Sequence, residues 1–317
     1  MTLTLALLVV AQAQAWQASV DSLVKLDQFT GVVVVAQNGV PQFERAYGMA
    51  DRDAGRANDL ETSFNIGSIN KLFTQIAIRQ LADAGKLDVD SSLARAWPDY
   101  PNQDLARKVT IRQILTMRSG IQGNIFAAPA GKTRHDVVSL QDFFDLIKNE
   151  PLQFEPGSKQ QYSNAGYIVL GLLIEKLSGE NYYEYVRRHI YEPAGMGQTG
   201  SWRVDRWPAN TALGYTKDSV GALSRNTDLL PGKGSSAGGG YSTAHDLLRL
   251  LNALREHKVT SAPEAGMVGI AGGAPGLNAA VEGGLPGGYD VIVLANLDPP
   301  AAERVAKLIR TSLVGTR

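Results

Sequence analysis

Gly31 to Ala36 reads GVVVVA, and Asn38-Gly39 follows almost at once. Valine is stiff on a helix and packs well on a pleated surface. Asn-Gly supplies the two positive-φ residues of a type I′ turn. Together they predict an antiparallel hairpin whose second strand is Phe43 to Tyr47. Strand signals return only near the end of the chain. There Leu277 to Glu282 and Tyr289 to Ala295 flank a Gly-rich turn, and Ala301 to Leu313 follows as an amphipathic helix. Strands at both ends with helices between are most simply closed as one antiparallel sheet built from both termini. The expected fold is therefore α+β: an antiparallel sheet flanked by helices, carrying an inserted, mainly helical domain. The sheet lobe is expected at about 16–66 and 240–317 and the helical lobe at about 67–239, meeting at a cleft of the kind where ligands bind.

The helical patterns are explicit. Trp16 to Gln28 carries Val20, Leu23 and Val24 at helical spacing. From Ser68 onward Ile69, Leu72, Phe73, Ile76, Ala77 and Leu81 follow a period of about 3.6 residues, and Gly85 ends the run. Thr110 to Gln113 is a capping-box signal for a short helix ending near Gly120. Tyr167, Leu170, Ile174 and Leu177 mark another helix, closed by Gly179. Thr243 to Asp246 caps one that carries Leu247, Leu250, Leu251 and Leu254.

Composition excludes several classes of function. The 317 residues contain 31 Lys+Arg and 31 Asp+Glu, a formal net charge of zero, so neither nucleic acid nor a membrane surface is an expected partner. With no cysteine there is no disulfide, thiolate metal site or cysteine nucleophile. The four histidines, His135, His189, His245 and His257, read as solvated or capping residues. H-E-x-x-H is absent, and Pro231 to Gly234 is not a phosphate loop. No metal and no cofactor is expected. At the N-terminus, Leu3 to Val10 is apolar and Ala13-Gln14-Ala15 resembles a small-x-small cleavage site. Residues 1–15 therefore read as an export signal lacking its usual basic start, which implies a periplasmic or secreted mature chain. A buried N-terminal helix is the alternative.

Ser68-Ile69-Asn70-Lys71 carries the chemistry. Three positions apart on a helix, the two side chains share a face, and a neutral amine can take the proton of a serine that attacks a carbonyl. A chain of this size contains about one S-x-x-K by chance; Ser22 to Lys25 is such a decoy, set inside a helix with no turn before it. Ser68 differs because Gly67 precedes it and a long apolar helix begins at it, where N–H groups favour developing negative charge. Tyr162-Ser163-Asn164 adds a tyrosine or tyrosinate for proton transfer and an amide for the substrate; Tyr100-Pro101-Asn102 is its decoy. Gly269 to Gly276 supplies strand glycines, which let a backbone or a ligand approach closely.

In this order, S-x-x-K, Y-S-N and a Gly-rich strand, the sequence resembles the serine β-lactamase and penicillin-binding protein superfamily, its class C β-lactamase branch above all. Ile114-Leu115-Thr116 to Ser119-Gly120-Ile121 contributes to the resemblance. So do Phe154, Pro156-Gly157, Gly166-Tyr167, Leu170-Gly171, Glu175, Ser178-Gly179, Pro193, Gly195-Met196 and Gly238 to Thr243 with Asp246. The resemblance runs from about residue 29 to the C-terminus. It implies a serine hydrolase acting through an acyl-enzyme on an ester, a D-amino-acid peptide or a β-lactam. Ser68 would be the nucleophile, Lys71 and Tyr162 the acid/base pair, Asn164 a substrate contact, Gly272 and Gly273 part of the substrate-binding strand, and the N–H groups of Ser68 and Gly273 the oxyanion donors.

Two positions depart from the family pattern. The third motif begins with Ile270 where the family has Lys or His, and Met117-Arg118 replaces a His-Thr pair. Ile270 offers no cation for a substrate carboxylate, and is expected to widen an apolar wall beside Ser68 and favour small esters. The alternative is a catalytically silent homologue that binds peptidoglycan fragments or a protein partner.

Overall fold

The computed structural model describes residues 16–259 and 268–314; the expected export segment lies outside them. Its main sheet has five strands, labelled here β1 (Gly31–Gln37), β2 (Val40–Tyr47), β3 (Val268–Ala274), β4 (Leu277–Leu285) and β5 (Tyr289–Ala295), in the order β2-β1-β5-β4-β3. All neighbours are antiparallel, and β1 pairs with β5 from Gly31↔Ala295 to Gln37↔Tyr289. Both ends of the chain thus meet at the sheet's centre. Asn38 (φ 51°) and Gly39 (φ 79°) form the expected type I′ turn.

The valine run is apolar on both faces because both faces are covered. Val32, Val34 and Ala36 enter the main core with Val281, Ile292 and Leu294. Val33 and Val35 face the other way, joining Val291 and Val293 in a second core. Residues 16–25 are helical and contribute Trp16 and Val20 to that second core. The terminal helix Ala301–Val314 contributes Ala302, Val305, Ala306 and Ile309, one stripe at helical spacing. Each buried valine or isoleucine contributes at most about 1.5–3 kcal/mol.

Three further helices build the main core, labelled α1 (Asn70–Asp83), α2 (Asn164–Ser178) and α3 (Ala244–Arg255); the terminal helix is α4. α1 ends just before Gly85, which takes a left-handed φ of 70°. Ala165 to Ile174 of α2 are all buried, which identifies it as the central helix. Ser163 caps its start by accepting from the Gly166 N–H, and Gly179 (φ 77°) ends it. The Thr110–Gln113 capping box forms, yet its helix stops at Leu115, short of the expected Gly120. Three two-stranded ribbons carry no periodic signal in the sequence: Met49–Asp51 with Arg56–Ala57, Phe64–Asn65 with Tyr241–Ser242, and Tyr215–Lys217 with Leu223–Arg225. Among the described residues no helix is long and apolar enough to cross a membrane.

His245 is neither solvated nor a cap. In the first turn of α3 it bridges two carboxylates, with Nδ1 2.7 Å from Glu61 Oε1 and Nε2 2.5 Å from Glu44 Oε1 of β2. Burial alone would lower its pKa; the hydrogen bonds and charges of Glu44 and Glu61 outweigh that and raise it. The folded state therefore holds the proton more tightly than the unfolded chain. The stabilisation is complete below an ordinary histidine pKa of about 6.5 and is lost as pH rises through the raised value. His245→Gln should accordingly lower Tm more at about pH 5.5 than at about pH 9. An equal deficit at both values, read by circular dichroism, would show that the charge of His245 does not contribute.

Candidate active site

The nucleophile turn is built by close backbone packing. Ile66 N–H donates to Gly240 O at 2.9 Å, and the Gly67 N–H is held by Asn65 Oδ1 at 3.0 Å. Gly67 has a φ of 49°, and a Cβ there would lie 3.0–3.2 Å from Leu277 Cδ1 and the backbone of Gly272 and Gly273. Only glycine satisfies both conditions. Ser68 follows in the 3₁₀ turn Gly67–Ile69, so it sits just ahead of α1 and not in its first α-helical turn.

Gly272 has a packing role, which corrects its expected assignment to substrate. It is buried, and a Cβ would stand 2.2 Å from Ile66 O and 2.8 Å from Ser68 N. The missing side chain lets β3, the edge strand, lie directly on the nucleophile turn. Gly272 O accepts from Asn278 Nδ2 at 3.0 Å, while Asn278 Oδ1 accepts from Ala302 N–H at 2.6 Å. One buried amide thus ties β3 and β4 to the start of α4.

Lys71 is 3% exposed. Its Nζ lies 3.1 Å from Ser68 Oγ and 2.8 Å from Asn164 Oδ1, and also donates to the Ala237 carbonyl. All three acceptors are neutral, and burial pushes the Lys71 pKa down to about 7. A neutral amine has two N–H donors, which Asn164 Oδ1 and Ala237 O can take. Its lone pair then faces Ser68 Oγ and can accept the hydroxyl proton.

Tyr162 completes the cluster. Its hydroxyl is 2.5 Å from Ser68 Oγ, and its ring centre lies 4.8 Å from Lys71 Nζ. The residue is 54% exposed while its hydroxyl points at Ser68. Burial of the hydroxyl raises the pKa, and the bond to Ser68 offsets this only in part. Of the two protonation states left open by the sequence, the neutral phenol is the one favoured at neutral pH, so Tyr162 can donate.

The sequence reading missed Ser235-Ser236-Ala237. Successive carbonyls of this segment are taken by side chains of α1: Ser235 O by Asn70 Nδ2 at 3.0 Å, Ser236 O by Thr74 Oγ1 at 2.8 Å, and Ala237 O by Lys71. The only signal was a run of small residues, Ser235 to Gly240, preceding the recognised Gly238 to Thr243. The decoys are explained too. Ser22 Oγ bonds Ala18 O at 2.9 Å within the first helix, and Tyr100 packs edge-on against Trp97 and Phe144. Arg118 is held by Gly157 O at 2.7 Å.

Two openings meet at Ser68. One is a cavity of about 310 Å³ lined by Phe126, Phe143, Asn164, Trp202, Leu229 and Gly273 among others. The other is a shallow groove bordered by Tyr162, Ala271, Gly273, Asp298 and Glu303. Gly273 lines both, whereas Ile270 lines neither and packs half-buried against the main core. The expected apolar wall from Ile270 is therefore not found. Alternation along β3 sends Val268, Ile270 and Gly272 inward and Gly269, Ala271 and Gly273 outward.

Comparison with known proteins gives the family and the fold. The family model described as Beta-lactamase matches residues 16–304. Penicillin-binding protein 4* of Bacillus subtilis is 31% identical over 211 residues, 64% of this chain and 45% of that protein, so the chain spans about half the length of this relative. The crystal structure of a penicillin-binding protein from Bacillus halodurans superposes with a TM-score of 0.81 at 28% identity, covering 96% of this chain and 98% of that one. EstCE1, a hydrolase with promiscuous acyltransferase activity, shares the fold at a TM-score of 0.77 and 19% identity, covering 97% and 99%.

The arrangement yields a pH signature. If neutral Lys71 accepts the serine proton, the acylation rate should rise with pH through about 7, the value to which burial lowers this amine. Lys71→Ala and Tyr162→Phe should each lose roughly 10²–10⁴-fold in kcat/KM while staying folded. Near-full activity in either variant, or a flat wild-type profile between about pH 6 and 8, would remove that group from proton transfer.

Proposed function

This chain belongs to the β-lactamase family, and from that premise we propose that it is a serine hydrolase that cleaves esters through an acyl-enzyme on Ser68. Ser68 Oγ attacks the carbonyl carbon and its proton passes to Lys71 Nζ. The N–H groups of Ser68 and Gly273 receive the developing oxyanion. Tyr162 gives its proton to the departing alcohol oxygen and is reprotonated from Lys71. Water then attacks the acyl carbonyl, losing a proton to neutral Lys71, and Ser68 Oγ departs with the proton returned. Asn164, with Oδ1 committed to Lys71, offers its Nδ2 to the acyl part of the substrate.

The observation that carries the ester preference is the charge of the groove. Tyr162 borders the groove and not the cavity, so the leaving group lies over the groove and the acyl group enters the cavity. Among its described lining residues the groove has Asp298 and Glu303 and no cation. Asp298 accepts backbone N–H bonds from Gly276 and Lys217, and one Glu303 oxygen is buried without a partner. β-Lactams and D-amino-acid peptides bring a carboxylate to that side of the scissile bond. Such an anion needs a cation or strong donors and would meet two like charges instead. Specificity is thus set by Asp298 and Glu303, not by Ile270.

The short Ser68–Lys71–Tyr162 contacts speak against a catalytically silent binding protein. A fluorophosphonate should give one adduct by intact-mass spectrometry, on Ser68. With the purified enzyme, kcat/KM for p-nitrophenyl butyrate should exceed that for nitrocefin. Faster turnover of nitrocefin would refute the ester preference, and no adduct at all would favour the silent alternative.

A further inference from the structure

The cavity beside Ser68 is lined mainly by apolar side chains, with Asn65, Asn164 and Ser235 among the neutral polar ones. Arg134, in the turn Arg134–Asp136, is the single charged side chain among its lining residues, set among Phe126, Phe143, Trp202, Leu229 and Leu230. Its Nη1 donates to the Leu229 carbonyl at 3.3 Å, and among the described residues no carboxylate pairs with it. The neighbouring acid is committed elsewhere: Asp136 Oδ2 accepts from Thr133 N–H at 2.8 Å and from Thr133 Oγ1 at 2.9 Å. His135 Nε2 contacts Thr227 O at 3.1 Å, in the same turn as Leu229.

A guanidinium has five N–H donors in a planar fork. One long bond to a neutral carbonyl uses little of that capacity. A cation in an apolar wall loses part of its hydration, and a carboxylate presented to it restores the balance with two charge-assisted bonds. An ester that merely fills the cavity leaves the cation unpaired.

We propose that Arg134 is a specificity-determining residue that binds a carboxylate at the far end of the acyl chain. The preferred substrates are then monoesters of dicarboxylic acids, with the ester carbonyl at Ser68, the methylenes against Phe126 and Phe143, and the free acid on Arg134. The proposal rests on the esterase reading and adds the class of acyl group. It is compatible with the acidic groove, because the anion enters on the acyl side alone.

The test holds the leaving group constant. Mono-p-nitrophenyl adipate, pimelate and suberate are each compared with the corresponding methyl-capped diester, and the rate with Ser68→Ala is subtracted as background. The readout is the ratio of kcat/KM for free acid over methyl-capped ester, in wild type, Arg134→Met and Arg134→Lys. Wild type should favour the free acid at one chain length or more. Arg134→Met should lower that ratio by about tenfold or more, the scale of one charge-assisted hydrogen bond, and Arg134→Lys should keep part of it. A ratio of one or below at every length, or an unchanged ratio in Arg134→Met, overturns the proposal while turnover of the capped esters leaves the esterase reading standing. Failure to turn over any of these esters removes both.

Discussion

The site depends on burying one amine among neutral acceptors. Lys71 is 3% exposed and its acceptors come from three separate stretches of chain: Ser68 ahead of α1, Asn164 at the start of α2, and Ala237 between them and α3. A carboxylate in place of any of these would favour the ammonium form and hold the pKa up. With carbonyl and hydroxyl oxygens alone, burial dominates and the amine titrates near 7. Much of the surrounding architecture serves that contact. Asn70 and Thr74 pin the carbonyls on either side of the one Lys71 uses, Ser236 Oγ bonds Tyr167 O at 2.8 Å, and Gly171 and Gly240 leave room where a Cβ would strike Ser236 and Asn70. Removing one partner would leave buried polar groups unsatisfied, which costs more than the bond itself contributes.

The sheet supplies what helices alone could not, a rigid straight edge beside the nucleophile. An open edge strand normally invites pairing with another chain. β3 carries that risk only in part, since the 3₁₀ turn holding Ser68 packs against it at Gly272 and Gly273. Behind it, Asn278 joins β3 to the N-terminus of α4 through both ends of its amide. The position of Gly273 relative to Ser68 is therefore fixed by the interior of the sheet and not by a loop.

What was legible in the sequence follows from how much physical signal each element carries. The GVVVVA run and Asn38-Gly39 specify β1, its turn and its partner because β-branching and positive φ leave few alternatives. Ser68 could be told from Ser22 because a glycine with a structural reason precedes it; Gly67 proves to need its positive φ. β3 was legible as a strand but not in phase. VGIAGGA has too few large side chains to mark its faces, and a one-residue error in phase moves every side chain to the opposite face. The resemblance alone puts Ile270 and Gly272 in the cleft, whereas the phase of β3 turns both inward. The ribbons are two or three residues long, shorter than any periodicity can register. The Glu44–His245–Glu61 bridge joins positions about 200 residues apart and has no local signature.

Catalytic tuning and substrate selection are physically separable in this site. The lowered pKa of Lys71 has burial as its one resolved cause; neither Asp298 and Glu303 in the groove nor Arg134 in the cavity contributes to it. Those charges line the cavity and the groove, and none of them is among the hydrogen-bond partners of Lys71. An incoming substrate meets them after shedding part of its own water, and at short range their sign matters most. A chain of this design can therefore alter these lining residues, and with them the charge accepted on the acyl or leaving-group side, without detuning the base that activates Ser68. The opposite holds for Asn70, Thr74, Asn164 and the glycines around the nucleophile turn. Changes there would shift the burial or the hydrogen bonds of Lys71 itself, and so would act on every substrate alike.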